Sequence, residues 1–259
     1  MAVDSALAAR ALLETWAHLV PALEGGWARS QGVGVLAAVT GVPAPTLNGV
    51  WVSGVDADAG EIADLLDQVA ATGLPHCLQF RPGASERLTK LALNRNMTKG
   101  DDIPLMALDD PRQLDAAQAV SGLRIRELRP EEAQIHARIA AAGFEAPAEM
   151  FLQLMTPAML ALPGLRCYLG EVGGQPVTTG FGITLGSYVA IFDIATPPAH
   201  RRHGYGAAVT ARAVADGLNA GATWSWLQAT PVGQPVYERL RFDTVESWPC
   251  WIAAVTPES

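Results

Sequence analysis

Residues 188–219 limit the possible folds more than any other stretch. "YVAIFDIAT" (188–196) reads as a strand, "PPAHRRHGYG" (197–206) as a basic turn, and the alanine-rich run from about Gly204 to Asn219 as a helix that stops at Gly221. A strand feeding a helix through so short a turn needs a sheet for the helix to pack against, which points to a layered α/β architecture. Simple alternation puts Ile191, Asp193 and Ala195 on one face of the strand and Phe192, Ile194 and Thr196 on the other. The first N–H groups of the helix lack internal partners, and the helix dipole places partial positive charge at the same end. Gly204 and Gly206 let an anion approach those groups, while Arg201 and Arg202 supply charged donors. The turn therefore suits a phosphate or diphosphate; the plainer alternative is a solvated loop. Neither GxGxxG nor GxxxxGK[ST] is present, which argues against NAD and ATP.

The flanking sequence extends the pattern. Leu7, Leu12, Leu13, Trp16, Leu19 and Val20 recur at helical spacing and end at Pro21. Strands follow at about 32–40 and 47–53, a helix at 60–71, the strand "HCLQF" (76–80), a helix near 84–95 and the strand "IPLMAL" (103–108). The polar, turn-rich segment 109–122 marks a boundary, giving domains at 1–115 and 122–259. Beyond it come the strand 123–128, helices at 130–142 and 147–161, and strands 165–172 and 175–186 hinged at Gly173-Gly174. After residue 219 the expectation is a strand at 223–230, a helix at 233–242 and one last strand at 246–254.

The halves also resemble each other. "VAATGLPHCLQFRPGASERLTKLALNRNM" parallels "GLNAGATWSWLQATPVGQPVYERLRFDTV", matching Leu78-Gln79 with Leu227-Gln228 and Pro82 with Pro231. The alternative is two unrelated α+β halves. In the first half the counterpart of the basic turn is "VSGVDADAG" (52–60), where Asp56 and Asp58 repel phosphate, and Leu88 stands where the second half has Tyr237.

Charge and cysteine content narrow the function classes. A net charge of -8 argues against nucleic-acid or anionic-membrane partners, and no run has the length and apolarity of a membrane span. Cys77, Cys167 and Cys250 are odd in number and widely spaced, which fits a reducing compartment and no zinc site. Asp4, Arg10 and Glu14 interrupt what a signal peptide would need to be apolar, so a cytoplasmic protein without a metal is expected.

Strand–"PxxRxxGxG"–helix, present as "PAHRRHGYG", resembles the acyl-CoA signature of the GCN5-related N-acetyltransferases. "ATPVGQPVYERLRF" is similar to that family's strand-to-helix segment, and the element order from 123 to 254 follows the family fold. The resemblance implies a mixed α/β fold with two such domains, each a twisted mixed β-sheet flanked by helices, the N-terminal one degenerate. It implies acetyl-CoA as cosubstrate and a small-molecule or peptide amine as acceptor, in a monomer or homodimer. Backbone N–H groups of Arg202, His203, Gly204, Tyr205 and Gly206, with Ala207 adjoining and Arg201 at the rim, would hold the CoA diphosphate. Ile194, Ala195 and Thr196 would pair with the pantetheine arm, and Tyr237 would protonate the departing thiolate. Asp193 is the first candidate for the base, with Glu145 and Glu171 behind it. Two departures stand out: Arg241-Phe242 replaces the usual Gly-Phe, and Ala229-Thr230-Pro231 replaces a usual Asn. A binding module that senses acyl-CoA without turnover is the alternative reading.

Overall fold

The computed structural model describes residues 3–114 and 120–253, so residues 115–119 of the expected boundary segment lie outside the described residues. The strands form two mixed sheets, and the chain divides into two compact units, each drawing on more than one segment of the sequence.

One unit comprises Asp4–Leu105 together with the chain from Val245 on. It begins with helix α1 (Ser5–Leu19), whose N-cap Asp4 accepts from the Leu7 N–H at 2.7 Å. Its sheet runs β1 (Trp27–Gln31), β2 (Val35–Val39), β3 (Asn48–Val52), β4 (His76–Phe80), β13 (Cys250–Ala253), β5 (Thr98–Lys99). Strand β1 was not evident in the sequence because it is an edge strand, "WARSQ", with no apolar alternation and no fully buried residue. Helices α2 (Ala59–Ala70) and α3 (Ser85–Asn94) cover one face, closing a core around Val50, Leu66, Leu78 and Phe80.

The other unit comprises mainly Met106–Thr244. Its sheet runs β12 (Asp243–Trp248), β6 (Ile103–Leu108), β11 (Trp224–Gln228), β10 (Tyr188–Ala195), β9 (Gln175–Leu185), β8 (Leu165–Val172), β7 (Leu123–Glu127). Helix α7 (Tyr205–Asn219) packs Val209, Ala213 and Val214 against Val189, Ile191 and Leu227. The remaining helices are α4 (Ala133–Phe144), α5 (Ala148–Leu154), α6 (Pro157–Leu160) and α8 (Gln234–Arg239). The single helix expected at 147–161 is two, because the Thr156 side chain caps Met159 at 3.1 Å and Pro157 starts a new first turn.

Each sheet thus contains a strand from the opposite end of the chain. In both, a parallel pair (β3–β4, β10–β11) is followed by an inserted strand: β13 beside β4, and β6 beside β11. The stretch expected as one strand at 246–254 is two strands, broken at Pro249, which belong to different sheets. Strand β13 is held antiparallel to β4 from Cys250↔Gln79 to Ala253↔His76. A bidentate ion pair from Arg81 to Glu246, at 2.8 and 2.9 Å, fixes the chain just before it. No described helix is long and apolar enough to cross a membrane.

This interleaving has a direct consequence. A fragment of residues 122–259 leaves a gap between β12 and β11 where β6 belongs and carries β13 without its sheet. Such a fragment is expected to show no cooperative thermal transition by circular dichroism, whereas the full chain does. A fragment that melts cooperatively would mean β6 is dispensable.

Candidate active site

Strands β10 and β11 pair in parallel only from Tyr188↔Trp224 to Ala190↔Trp226. Beyond Ala190 the parallel register ends, so that Ile194, Ala195 and Thr196 have no ladder partner on β11. The cause is a bulge. Opposite β9 the pairing steps from Phe192↔Phe181 to Ala195↔Thr179, three residues against two, with Asp193 at φ 51°. Asp tolerates this left-handed conformation better than most side chains do. The alternation expected along 191–196 therefore holds only to Phe192. The bulge also needs Gly180 beneath it, since a Cβ there would stand 2.3 Å from Ile194 Cδ1.

The segment after the bulge is braced from within. Thr178 Oγ1 donates to the Ala195 carbonyl at 2.9 Å and lies 3.0 Å from Thr196 Oγ1. Arg201 does not face outward: its Nη2 donates to the Gly143 carbonyl at 2.7 Å and its Nε to the Thr196 carbonyl at 3.2 Å. It also lies 3.4 Å from the Glu145 carboxylate. Arg201 ties the turn to the end of α4.

The turn itself presents backbone donors. Arg202 (φ 66°) and Gly204 (φ 80°) both take the left-handed conformation, and the helix begins at Tyr205. The first backbone bond of α7 runs from Ala208 N–H to the Gly204 carbonyl at 3.0 Å, and no side chain caps the helix. The N–H groups of Arg202 through Ala207 have no backbone acceptor among the described residues. His203 is exposed, its Nδ1–H directed at the Arg201 carbonyl at 2.9 Å and its ring stacked on Tyr205 with centroids 5.2 Å apart. Open, aligned N–H groups at a helix start form an anion site.

The corresponding place in the other unit is closed. There Asp58 caps α2, accepting from the N–H groups of Gly60 at 2.8 Å and Glu61 at 3.0 Å. Strands β3 and β4 stay paired to the end, from Gly49↔Cys77 through Val52↔Phe80. A cavity of about 500 Å³ lies beside that turn, but Asp56, Asp58 and Glu61 line it, which makes it a poor place for phosphate.

Tyr237 sits on α8 with its ring edge-on to Phe242, centroids 6.1 Å apart. Its hydroxyl is pushed above the ordinary tyrosine range, first by burial and then by the Asp193 carboxylate nearby, so it stays protonated at neutral pH. The missing glycine before Phe242 is replaced in function by Arg241, which adopts φ 66° itself.

A residue not singled out in the sequence completes the cluster. His136, on the buried face of α4 with Ala137 and Ala140, is fully buried. Its Nδ1 lies 2.7 Å from Thr179 Oγ1 and 3.4 Å from Cys167 Sγ; its Nε2 lies 3.8 Å from Asp193 Oδ2. Burial works to lower the imidazole, while the Cys167 sulfur and the Asp193 carboxylate raise it, and the balance stands at about 10. A histidine within an alanine-lined helix face was the available signal. The reserve candidates for the base do not join the cluster. Glu171 is buried between Arg124 and Arg126, each at 2.8 Å, and these hold its carboxyl below the usual range. Glu145 ends α4 and pairs with Arg201.

No protein-family model matches the chain, and no curated protein matches its sequence. Solved structures do match the fold. A GCN5-related N-acetyltransferase from Kribbella flavida superposes with a TM-score of 0.69 at 21% identity, covering 100% of this chain and 98% of that one. A GCN5-related N-acetyltransferase from Sphaerobacter thermophilus gives 0.58 at 15% identity over 96% and 86% of the two chains. A tandem protein of the same fold from the clavulanic acid biosynthesis pathway gives 0.55 at 16% identity over 89% and 82%. With the central strands parting after Ala190 in one unit and paired to the end of β3 in the other, the chain has the fold of the tandem GCN5-related N-acetyltransferases.

Proposed function

We propose that the protein transfers an acetyl group from acetyl-CoA to a primary amine of a small molecule or peptide, using the seven-stranded unit alone. One observation carries this reading. The uncapped start of α7 and the end of the β10–β11 ladder ahead of Ile194 occur together in that unit, whereas the other caps its helix with Asp58 and keeps β3 and β4 paired through Val52↔Phe80. The donors from Arg202 to Ala207 would take the diphosphate, with Arg202 and His203 at the rim and Arg201 bracing the turn. The free edge at Ile194, Ala195 and Thr196 would align the pantetheine arm and hold the thioester beside Asp193 and Tyr237.

The chemistry then balances on two side chains. The amine nitrogen attacks the thioester carbonyl carbon, and its proton, made acidic by the new N–C bond, passes to the Asp193 carboxylate. The C–S bond breaks as the Tyr237 hydroxyl gives its proton to sulfur, leaving an amide and a free thiol. The proton on Asp193 returns to the Tyr237 phenolate through solvent. Burial and the neighbouring carboxylate keep Tyr237 protonated, so it has a proton to give, although the same shift makes it a weaker acid than a free tyrosine.

Calorimetry with acetyl-CoA is expected to give one site per chain; two sites would contradict a closed first unit. Gly204→Val places a side chain on a left-handed residue, at a cost of about 1–2 kcal/mol, and obstructs the donors. It is expected to weaken acetyl-CoA binding at least tenfold; unchanged binding would remove the turn from the site. Tyr237→Phe is expected to lower kcat for thiol release about a hundredfold or more, the usual scale for a lost general acid, with acetyl-CoA affinity kept. Release at the wild-type rate across active amines would refute that role.

A further inference from the structure

The hydrogen bonds around His136 fix which of its nitrogens can change state. The Thr179 hydroxyl donates its one proton to the Tyr168 carbonyl at 2.8 Å, so at 2.7 Å it can only accept from His136 Nδ1–H. Nδ1 therefore carries a hydrogen, and the Cys167 sulfur flanks the same N–H at 3.4 Å. Nε2 is buried without a hydrogen-bond partner, and the group it faces is the Asp193 carboxylate at 3.8 Å. That distance is an ion pair, not a hydrogen bond. The groups facing the ring are Cys167 from β8, Thr179 from β9 and Asp193 from β10; Tyr237 from α8 faces Asp193 in turn.

We propose that His136 is a charged positioning residue, an imidazolium behind the β10 bulge that orients the Asp193 carboxylate toward the acceptor nitrogen. This rests on the acyltransferase reading above. Asp193 is the exposed member of the pair, its side chain 22% accessible against 0% for His136, so an acceptor meets the carboxylate and never the imidazole. A neutral His136 would leave the carboxylate half-buried with no counter-charge, a costly arrangement. The charge on His136 therefore fixes the position of the carboxylate, and Thr179 selects the ring orientation that makes the pairing possible.

Nitrogen-15 spectra of histidine-labelled full-length protein test the pairing directly. His136 is expected to show both ring nitrogens protonated at pH 7.5 and to lose the Nε2 proton only as pH approaches about 10. In Asp193→Asn, whose side chain also tolerates the left-handed backbone, Cys167 still raises the imidazole but the Asp193 contribution is gone, so that proton is expected to leave at a lower pH than in the wild type. A folded-state value raised above the unfolded one stabilises fully below about pH 6.5, and the contribution is lost as pH rises through the folded value. The wild type is accordingly expected to exceed Asp193→Asn in stability at pH 7–8, the gap narrowing as pH rises through about 10. A neutral imidazole at pH 7.5, or one indifferent to Asp193→Asn, would overturn the pairing.

The functional arm uses His136→Gln, which keeps a donor and removes the charge. It is expected to lower kcat/KM for amines at least tenfold, mainly through the amine KM, with acetyl-CoA affinity within twofold of wild type. Unchanged kcat/KM, or a fall explained wholly by lost cofactor binding, would overturn the positioning role. Should the wild type transfer nothing to any amine while the imidazolium signal is present, the acyltransferase reading fails and the assigned role falls with it. The charge pairing itself would stand.

Discussion

One extra residue in β10 sets the site. The bulge at Asp193 lengthens β10 against β9 at the point where its pairing with β11 has just ended. The free edge, the position of the carboxylate and the approach of Tyr237 all depend on it. The bulge in turn depends on Gly180, whose missing Cβ leaves room for Ile194, and on Thr178, which catches the Ala195 carbonyl. The sheet is weakened there in order to leave backbone groups open, and the packing of α4 and α7 on either side of that segment compensates.

The two copies of the fold show how little separates a competent site from a closed one. Both place a helix after a parallel strand, so both have a dipole and four initial N–H groups to offer. In one copy Asp58 takes two of those donors, worth about 1 kcal/mol to the helix as an N-cap. In the other Gly204 stands at the same place and leaves them open. In the six-stranded unit the strands stay paired to the end of β3.

Much was legible in the sequence because it rests on local patterns. The helix from 205 to 219, the hairpin at Gly173-Gly174 and the strand "HCLQF" follow from periodicity and turn residues alone. The closed state of the first unit was foreshadowed by Asp56 and Asp58, although Asp58 acts by capping as well as by repulsion. Less was legible where one residue changes the register. The Asp193 bulge breaks the period-2 pattern without any glycine or proline to announce it, and Arg241 takes a left-handed turn that the sequence reserves for glycine in related folds.

The sequence by itself determined the kinds of element, the anion-binding character of one turn and its absence from the other, since neighbouring residues decide these. Only the tertiary structure decided which strands complete which sheet. "IPLMAL" and "CWIA" are apolar strands that either sheet could accept, and the choice is made by partners far away in the chain. The same holds for the cluster around Asp193. His136, Thr179, Asp193 and Tyr237 come from four separate elements, and the charge on one depends on distances to the others. A sequence records residue identity; the field that each residue feels is a property of the folded neighbourhood.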